Sequence, residues 1–423
     1  MGKNVLVLGS GGREHATIWK LSQSPNIGRI FAAPGNAGIR ELADVVPCLV
    51  FDDLLRAISQ NNIDLVVIGP ENLLAKDVAG DLRAIDVPVF GPSRASARIE
   101  TSKVFAKKLM AKANIPTAPF VCHSAGDVFR PENAPGIGPS YVVKADGLAG
   151  GKGVVICETP DEVNKAIEGL HFKHGDAARE VVIERFLKGQ EVSCHLLSDG
   201  TGLYLPFPAS CDYKKLDGEN TGGMGAVAPT SRLILSALIG MGFKIFDPVF
   251  NALHKETGEG FIGCLYPGII LTAAGPRVLE FNARFGDPET EVYMRLLDSD
   301  LLELLFACAT GKLKEIPAPR WRPGYAVSVC IATEGYPERA PLRQERIYGI
   351  EEAECVSGVK VFHGSTKKQD GHVYALGGRA LHVTAIGDPL EKAIARAYEA
   401  LARIHFPGKQ YRTDIGADLI GRV

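Results

Sequence analysis

Paired cysteines are absent from this chain. Its nine cysteines run singly from Cys48 to Cys355 with no C-x-x-C spacing, so buried free thiols are expected rather than a disulfide framework or a zinc site. His171 and His174 lie close together, but no cysteine or second histidine pair completes a metal set, and both read as surface residues. No apolar run reaches membrane-spanning length. No basic segment with a cleavable apolar stretch precedes Val5-Leu6-Val7-Leu8, so a cytoplasmic protein without membrane contact is expected. Gly2 is followed by Leu6 where a myristoylation signal needs Ser or Thr. Lys and Arg number 47 against 49 acids, a formal net charge of −2. The basic residues are dispersed, which excludes a nucleic-acid surface and leaves phosphate groups to be met locally. Internal repeats and low-complexity tracts are missing too. With 46% hydrophobic and 23% charged residues, the 423-residue chain has an ordered globular composition and should divide into about two to four domains.

What is present is most concentrated in Val142-Val143-Lys144-Ala145-Asp146-Gly147-Leu148-Ala149-Gly150-Gly151-Lys152-Gly153-Val154-Val155-Ile156. Glycines let a backbone approach a polyphosphate and turn its N–H groups inward, while Lys144 and Lys152 supply positive charge. A Walker A loop would run into a helix after Lys-Ser/Thr. Here Gly153 follows Lys152 and a strand-like Val154–Cys157 comes next. The pattern therefore predicts the tip of a β-hairpin that folds over a nucleotide as a flap.

From residue 1 to about 95 strands and helices alternate: Val5–Leu8, Arg13–Leu21, Arg29–Ala32, Asp53–Ser59, Asp64–Ile68, Val78–Ile85 and Val87–Phe90. This predicts an open parallel α/β unit. Its first turn, Gly9-Ser10-Gly11-Gly12-Arg13-Glu14, approaches a dinucleotide fingerprint but carries Glu14 in place of the third glycine. The second strand ends in Ala32-Ala33-Pro34 without a ribose-binding acid, which disfavours a dehydrogenase. The turn can bind an anion at its helix N-terminus or serve only as a tight connection. A polar helix is expected over Ala95–Ala113, then a small α+β flap subdomain around Lys144 and Val181–Ile183. More strands and two long helices should follow to about residue 316. Ile269–Thr272 and Val278–Phe281 read as a hairpin, and Tyr325–Ala332, Ala380–Ala385 and the helix Leu390–Ile404 as a small C-terminal unit.

The second chemical run is Leu279-Glu280-Phe281-Asn282-Ala283-Arg284-Phe285-Gly286-Asp287-Pro288-Glu289. Side chains alternate on a strand, so Glu280, Asn282 and Arg284 should share one face. Carboxylate and amide oxygens suit Mg²⁺, and Arg284 can neutralise a phosphoryl group in transit; a solvated polar face is the plain alternative. The third run is Val181-Val182-Ile183-Glu184-Arg185-Phe186-Leu187-Lys188-Gly189-Gln190-Glu191. It offers backbone and the acids Glu184 and Glu191 to adenine and ribose, although acids beside a strand end are usually just solvated.

Together these runs resemble the ATP-grasp superfamily and, within it, the phosphoribosylamine–glycine ligase family, over essentially the whole chain. Supporting runs are Gly11–Ala16, Pro34–Gly38, Gly69-Pro70-Glu71, Thr101-Ser102-Lys103, Asn220-Thr221-Gly222-Gly223-Met224-Gly225-Ala226, Gly335-Tyr336-Pro337, Lys360–His363 and Asp414-Ile415-Gly416. The resemblance implies an N-terminal α/β domain over 1–100, an ATP-grasp domain over 101–317 with a flap subdomain at about 117–187, and a C-terminal α+β or barrel-like domain over 318–423. It implies that Lys103 and Lys144 contact ATP phosphates and that Gly147, Gly150, Gly151, Lys152 and Gly153 cover them. Glu184, Leu187 and Glu191 would hold adenine and ribose, and Glu280 and Asn282 would bind Mg²⁺ or Mn²⁺. Gly11, Gly12, Asn36 and Glu71 would face 5-phosphoribosylamine. Arg284, Asp287 and Glu289 would surround glycine and its acyl phosphate, with Asp212, Asn220, Thr221, Gly222 and Gly223 in the substrate loop. Lys144, Arg284 and Asp287 are the expected catalytic groups. Such an enzyme phosphorylates glycine's carboxylate and lets the amine displace phosphate, which needs no Ser–His–Asp or Cys–His set. A monomer is expected. The loop Tyr213–Glu219 is shorter than the family's usual one, Gly150 stands in place of an alanine, and Arg185 stands where a second acid is common. Another ATP-grasp ligase or carboxylase, or a non-catalytic ATP-binding homologue, are the competing readings.

Overall fold

A computed structural model describes residues 2–48, 50–230 and 240–421. The N-terminal sheet is parallel throughout, in the order Asp44–Val45, Ile27–Pro34, Lys3–Gly9, Leu65–Ile68, Val89–Phe90. Val5, Leu6, Val7 and the Leu65–Ile68 strand are buried, as strands covered on both faces must be. The order reverses between Lys3–Gly9 and Leu65–Ile68. That switch point opens a crevice at the carboxyl ends of the two strands, where Gly9–Gly12 and Gly69–Glu71 follow them.

The expected helix over Ala95–Ala113 is two helices, Arg94–Thr101 and Lys103–Lys112. Ser102 between them is extended, with φ −139° and ψ 109°, and its Oγ accepts from Phe105 N at 3.0 Å. Asp146 completes the cap: its Oδ1 accepts from Ser102 Oγ and Val104 N, both at 2.8 Å. A side-chain acceptor at a helix start satisfies donors the helix cannot. The new helix thus starts at Lys103, against the base of the flap.

The flap is the hairpin Tyr141–Ala145 and Val154–Cys157 in a four-stranded antiparallel sheet with Phe120–Ser124 and Glu180–Arg185. Tyr141, Val143, Val181 and Ile183 form its core with Val163, Ile167 and Leu170 of the helix Pro160–His174. His171 on that helix is exposed and His174 half-buried.

The predicted hairpin near residue 270 is longer than the sequence pattern indicates, pairing Ile262–Thr272 with Gly275–Asn282. A register shift at Gly268/Ile269 leaves Leu279 without a cross-strand partner, which frees its carbonyl. The strand ends at Asn282, so Arg284 lies past the alternation that would put it beside Glu280. Among the described residues of the stretch for which two long helices were expected, helices run over Asp247–Thr257, Glu289–Leu296 and Leu301–Ala309.

Beyond residue 320 the strands Tyr325–Ala332, Arg379–Gly387 and Val359–His363 form a sheet under the helix Leu390–Arg403. That sheet also takes Cys211–Asp212 and Gly225–Ala228. The C-terminal strands therefore hold both ends of the 212–225 segment. Inside it, the short loop closes as a hairpin, Lys215–Leu216 with Glu219–Asn220. Its turn is Asp217 and Gly218 at φ +49° and +89°, the residues that accept left-handed backbone in a two-residue turn.

Candidate active site

Two groups of charges meet where these units converge. The first is rich in lysine. Lys144, one residue before the end of its strand, has Nζ 2.5 Å from Glu184 Oε1 and 3.1 Å from the Leu279 carbonyl it donates to. The other Glu184 oxygen pairs with Lys107, and all three side chains are buried. Burial opposes ionisation of Glu184, but Lys144 and Lys107 outweigh it and hold the carboxyl below its usual range. Burial pushes Lys107 down to about 8 against the pull of Glu184. Glu280 lies 3.4 Å from Lys214 Nζ. Burial would raise its pKa, yet Lys214, Lys144 and Lys103 bring it to about 2. Glu191 is exposed, 3.9 Å from Lys214. Leu187 is half-buried in the linker between Glu180–Arg185 and Gln190–Ser193.

The flap closes this group from above. Gly150 and Gly151 at its tip have φ of +57° and +78°, and Lys152 N donates to Ala149 O at 3.0 Å, the two-residue turn whose central residues are both left-handed. A Cβ at Gly151 would stand 3.0 Å from the Thr221 carbonyl. Asn220 Nδ2 donates to Val154 O at 3.2 Å, so the tip rests on the substrate loop. Lys152 is half-buried, Gly147 N donates to Ala177 O at 2.7 Å, and Gly153 O accepts from Ala145 N at 2.8 Å.

The second group is rich in carboxylates and lies at the N-terminal switch point. Arg284 pairs with Glu100 at 3.0 Å and Glu71 at 3.4 Å. Burial raises the Glu100 pKa despite Arg284. Glu71 is driven the other way, because Arg284 and Arg13 overcome its burial. Two acids sharing one guanidinium separate in this manner. Glu100 also accepts from Ala283 N at 2.7 Å. Asp287 pairs with Arg379 at 3.0 Å and accepts from Arg13 N at 3.4 Å. Burial opposes its ionisation, but Arg379, His382 and Arg13 keep it well below the usual carboxylate range. Arg379 Nη1 donates to the Gly222, Gly223 and Asp287 carbonyls at 2.8, 3.1 and 2.7 Å. Glu289 is buried and accepts from Ser193 Oγ at 3.0 Å. Burial, then Glu289, raises the pKa of Asp212.

The Gly9–Gly12 turn already holds an anion of its own. Gly11 N donates to Glu14 Oε2 at 2.6 Å, and Glu14 pairs with Arg13 at 2.7 Å. A Cβ at Gly9 or Gly69 would collide with the Glu14 side chain. The departure from the dinucleotide pattern is thus a carboxylate lodged between two glycines. Asn36 faces inward: its Nδ2 donates to Ser10 O and His363 O at 2.9 and 2.6 Å, and its Oδ1 accepts from Ile39 N at 2.9 Å. Both ends of that amide are spent on backbone.

Sequence reasoning missed Lys107, Lys214, Glu100, Arg379, Glu291 and His382. Lys107 had a signal, being one helical turn after Lys103; Arg379 and His382 had none until the C-terminal sheet brought them in. His382 stands between two acids, its Nδ1 3.5 Å from Glu291 and its Nε2 3.7 Å from Asp287. The acids face opposite ring nitrogens, and Arg379 already gives Asp287 its cation. Burial lowers the His382 pKa to about 4.

Asn282 Nδ2 is buried with no partner, and amide oxygen and nitrogen exchange places by a flip. With the ionised Glu280 two residues away, this donor set fits a hard divalent cation of the magnesium type. The surrounding lysines oppose a bare ion, so the fit is to a cation that arrives with phosphates.

The family model described as phosphoribosylglycinamide synthetase, N domain, matches residues 3–100, its ATP-grasp (A) domain residues 101–290, and its C domain residues 326–418. A phosphoribosylamine–glycine ligase of Mesorhizobium japonicum is 42% identical over 99% of this chain and 99% of its own length; one from Leifsonia xyli is 44% identical over 98% and 99%. The crystal structure of phosphoribosylamine–glycine ligase from Thermotoga maritima superimposes with a TM-score of 0.83 at 34% identity, covering 97% of this chain and all of that one. A biotin carboxylase domain from Hydrogenobacter thermophilus, solved with MgADP and bicarbonate, shares the fold at a TM-score of 0.72 and 18% identity, covering 97% and 92%.

Proposed function

Since the chain belongs to the phosphoribosylglycinamide synthetase family, we propose how its two charged regions divide the ATP-dependent ligation of glycine to phosphoribosylamine, a step of purine biosynthesis. The observation that carries this reading is the contact between opposites. The strand that carries Glu280 and Asn282 runs directly into Ala283, whose N–H donates to Glu100 at 2.7 Å, and Arg284, which pairs with Glu100 at 3.0 Å. A polyanion bound on one side is thereby next to ammonium and amine groups bound on the other.

On the lysine side, Lys103 and Lys144 take the ATP phosphates, and the flap residues Gly147, Gly150, Gly151, Lys152 and Gly153 cover them. Leu187, Glu191 and the linker backbone hold adenine and ribose. Glu184, committed to two lysines, sets Lys144 rather than reading the base. Glu280 and Asn282 hold the divalent cation, Mg²⁺ or Mn²⁺, which supplies charge neutralisation on the phosphate oxygens when bound.

On the acid side, Gly11, Gly12 and Glu71 face phosphoribosylamine, and Asp212, Asp287 and Glu289 face glycine and the amine. Asn36 fixes the Gly11 turn from behind, and Asn220, Thr221, Gly222 and Gly223 form the wall shared with the flap. Glycine's carboxylate attacks the γ-phosphorus, with ADP leaving. Arg284 offsets the charge in transit, and its two acids keep it aimed. The amine nitrogen then attacks the glycyl carbonyl carbon, expels inorganic phosphate and loses a proton. Flap closure excludes the water that would hydrolyse the acyl phosphate.

The test is ADP release from ATP and magnesium with glycine and phosphoribosylamine, the latter formed in place from ribose 5-phosphate and ammonia. Turnover that needs both co-substrates is expected. ADP release that ignores the omission of either one would refute the assignment.

A further inference from the structure

We infer that Lys107, which touches no substrate in the reading above, is a positioning residue: through Glu184 it sets how much of the charge on Lys144 is left for the nucleotide. The inference deepens the nucleotide side of that reading and rests on it.

The geometry is a closed chain. Thr117 Oγ1 donates to the Val278 carbonyl at 2.7 Å, and Lys107 Nζ donates to Thr117 Oγ1 at 2.6 Å. Lys107 pairs with one oxygen of Glu184, Lys144 with the other at 2.5 Å, and Lys144 donates to Leu279 O at 3.1 Å. Both ends land on consecutive residues of the strand that carries Glu280 and Asn282. A single buried carboxylate thus ties the flap strand, the Lys103 helix and the proposed metal strand together.

The charge count gives the consequence. Two lysines and one glutamate leave a single positive charge among three buried side chains. With a neutral side chain at 107, Glu184 would belong wholly to Lys144. The Lys144 charge would be cancelled, and its Nζ would be held off the phosphates. A charge-assisted contact to phosphate contributes about 1.5–3 kcal/mol, so its loss weakens binding about tenfold to a hundredfold.

Isothermal titration of the full chain with ADP and magnesium tests this, without glycine or the amine, so that a failure here is separate from a failure of the ligase reading. Lys107→Met should bind about tenfold to a hundredfold more weakly, with the KM for glycine unchanged in turnover assays. Adding Glu184→Gln to that variant removes the competing acid and should restore affinity to within about threefold of the wild type. A residue that merely packs its helix would not be rescued by a charge removed elsewhere. Lys107→Arg should stay within the same range. Wild-type affinity in Lys107→Met, or a double variant as weak as the single one, overturns the inference. If Lys107→Met does not fold, the double variant decides alone, since a tenfold loss in it is the overturning result.

Discussion

The lysine-rich clamp and the acid-rich cradle are both buried and both crowded with charge, yet they balance it in opposite ways. In the clamp Lys103, Lys107, Lys144 and Lys214 outnumber Glu184 and Glu280, with the exposed Glu191 at the edge. In the cradle Glu14, Glu71, Glu100, Asp287 and Glu289 outnumber Arg13, Arg284 and Arg379. The clamp's excess is opposite to its proposed ligand, a polyphosphate, and the cradle's is opposite to the ammonium and amine groups of the ligands proposed there. Uncompensated charge at a buried site is costly. Its presence on both sides marks where stability has been given up for binding, and the two sides should respond differently to the same kind of change.

The largest effect should come from the acid inside the clamp. Glu280→Gln keeps shape but removes the anion that three lysines hold ionised, and kcat should fall about a thousandfold. Metal-free ADP should bind no more weakly than to the wild type, because the lysine excess grows. If it binds far more weakly, Glu280 is structural and the comparison fails at its centre.

Arg379→Met should come next, on the cradle side. It frees the Gly222 and Gly223 carbonyls and strips Asp287 of its guanidinium. We expect kcat/KM for glycine and the amine to drop about a hundredfold and the thermal midpoint to fall, since breaking a buried pair destabilises by about 3–5 kcal/mol. Affinity for ADP with magnesium should hold. A parallel loss of ADP affinity would show that clamp and cradle are one unit.

Much of the clamp is legible in the sequence because it is made of contiguous runs. Lys144 to Val154 and Glu280 to Asn282 each lie on one strand and its turn, where alternation alone sets the side. The break at Ser102 was not legible, since the signal for it, Asp146, lies in another run. The cradle is assembled from five separated segments, and its organisers arrive from afar: Arg379 joins Asp287 from the C-terminal sheet, and Glu100 joins Arg284 from the helix that ends before Ser102. Helix and strand periods say which face a residue takes, not which distant face it will meet. Asn36 shows the converse, since its motif marked a site residue while its hydrogen bonds give it the work of bracing a loop.

Acid should separate the regions more gently. His363 and His382, where the C-terminal sheet meets the N-terminal turn, are held at about 4 by burial, against about 6.5 in an unfolded chain. Between those values the unfolded chain binds more protons, so stability is full above about 6.5 and is lost as pH falls toward 4. Glu280, at about 2, stays ionised across that window. A thermal midpoint that declines from pH 6.5 to 4, and less steeply in His363→Gln, is expected; a flat profile would mean these histidines take up protons in the fold as readily as in the unfolded chain.

The smallest effects lie at the flap tip, where clamp and cradle touch. Gly150 and Gly151 both take left-handed backbone, but only Gly151 has a neighbour, the Thr221 carbonyl, in the space a side chain would take. An alanine in that backbone region costs about 1 kcal/mol, so Gly150→Ala should weaken binding of ADP with magnesium about fivefold. Gly151→Ala adds a collision that must push the flap off the substrate loop, and it should lose more. Because Arg379 holds that loop, the added loss at Gly151 should vanish in the Arg379→Met background, whereas the Gly150 effect should persist. Equal losses at both glycines would mean that strain in the flap, not its landing on the loop, sets closure.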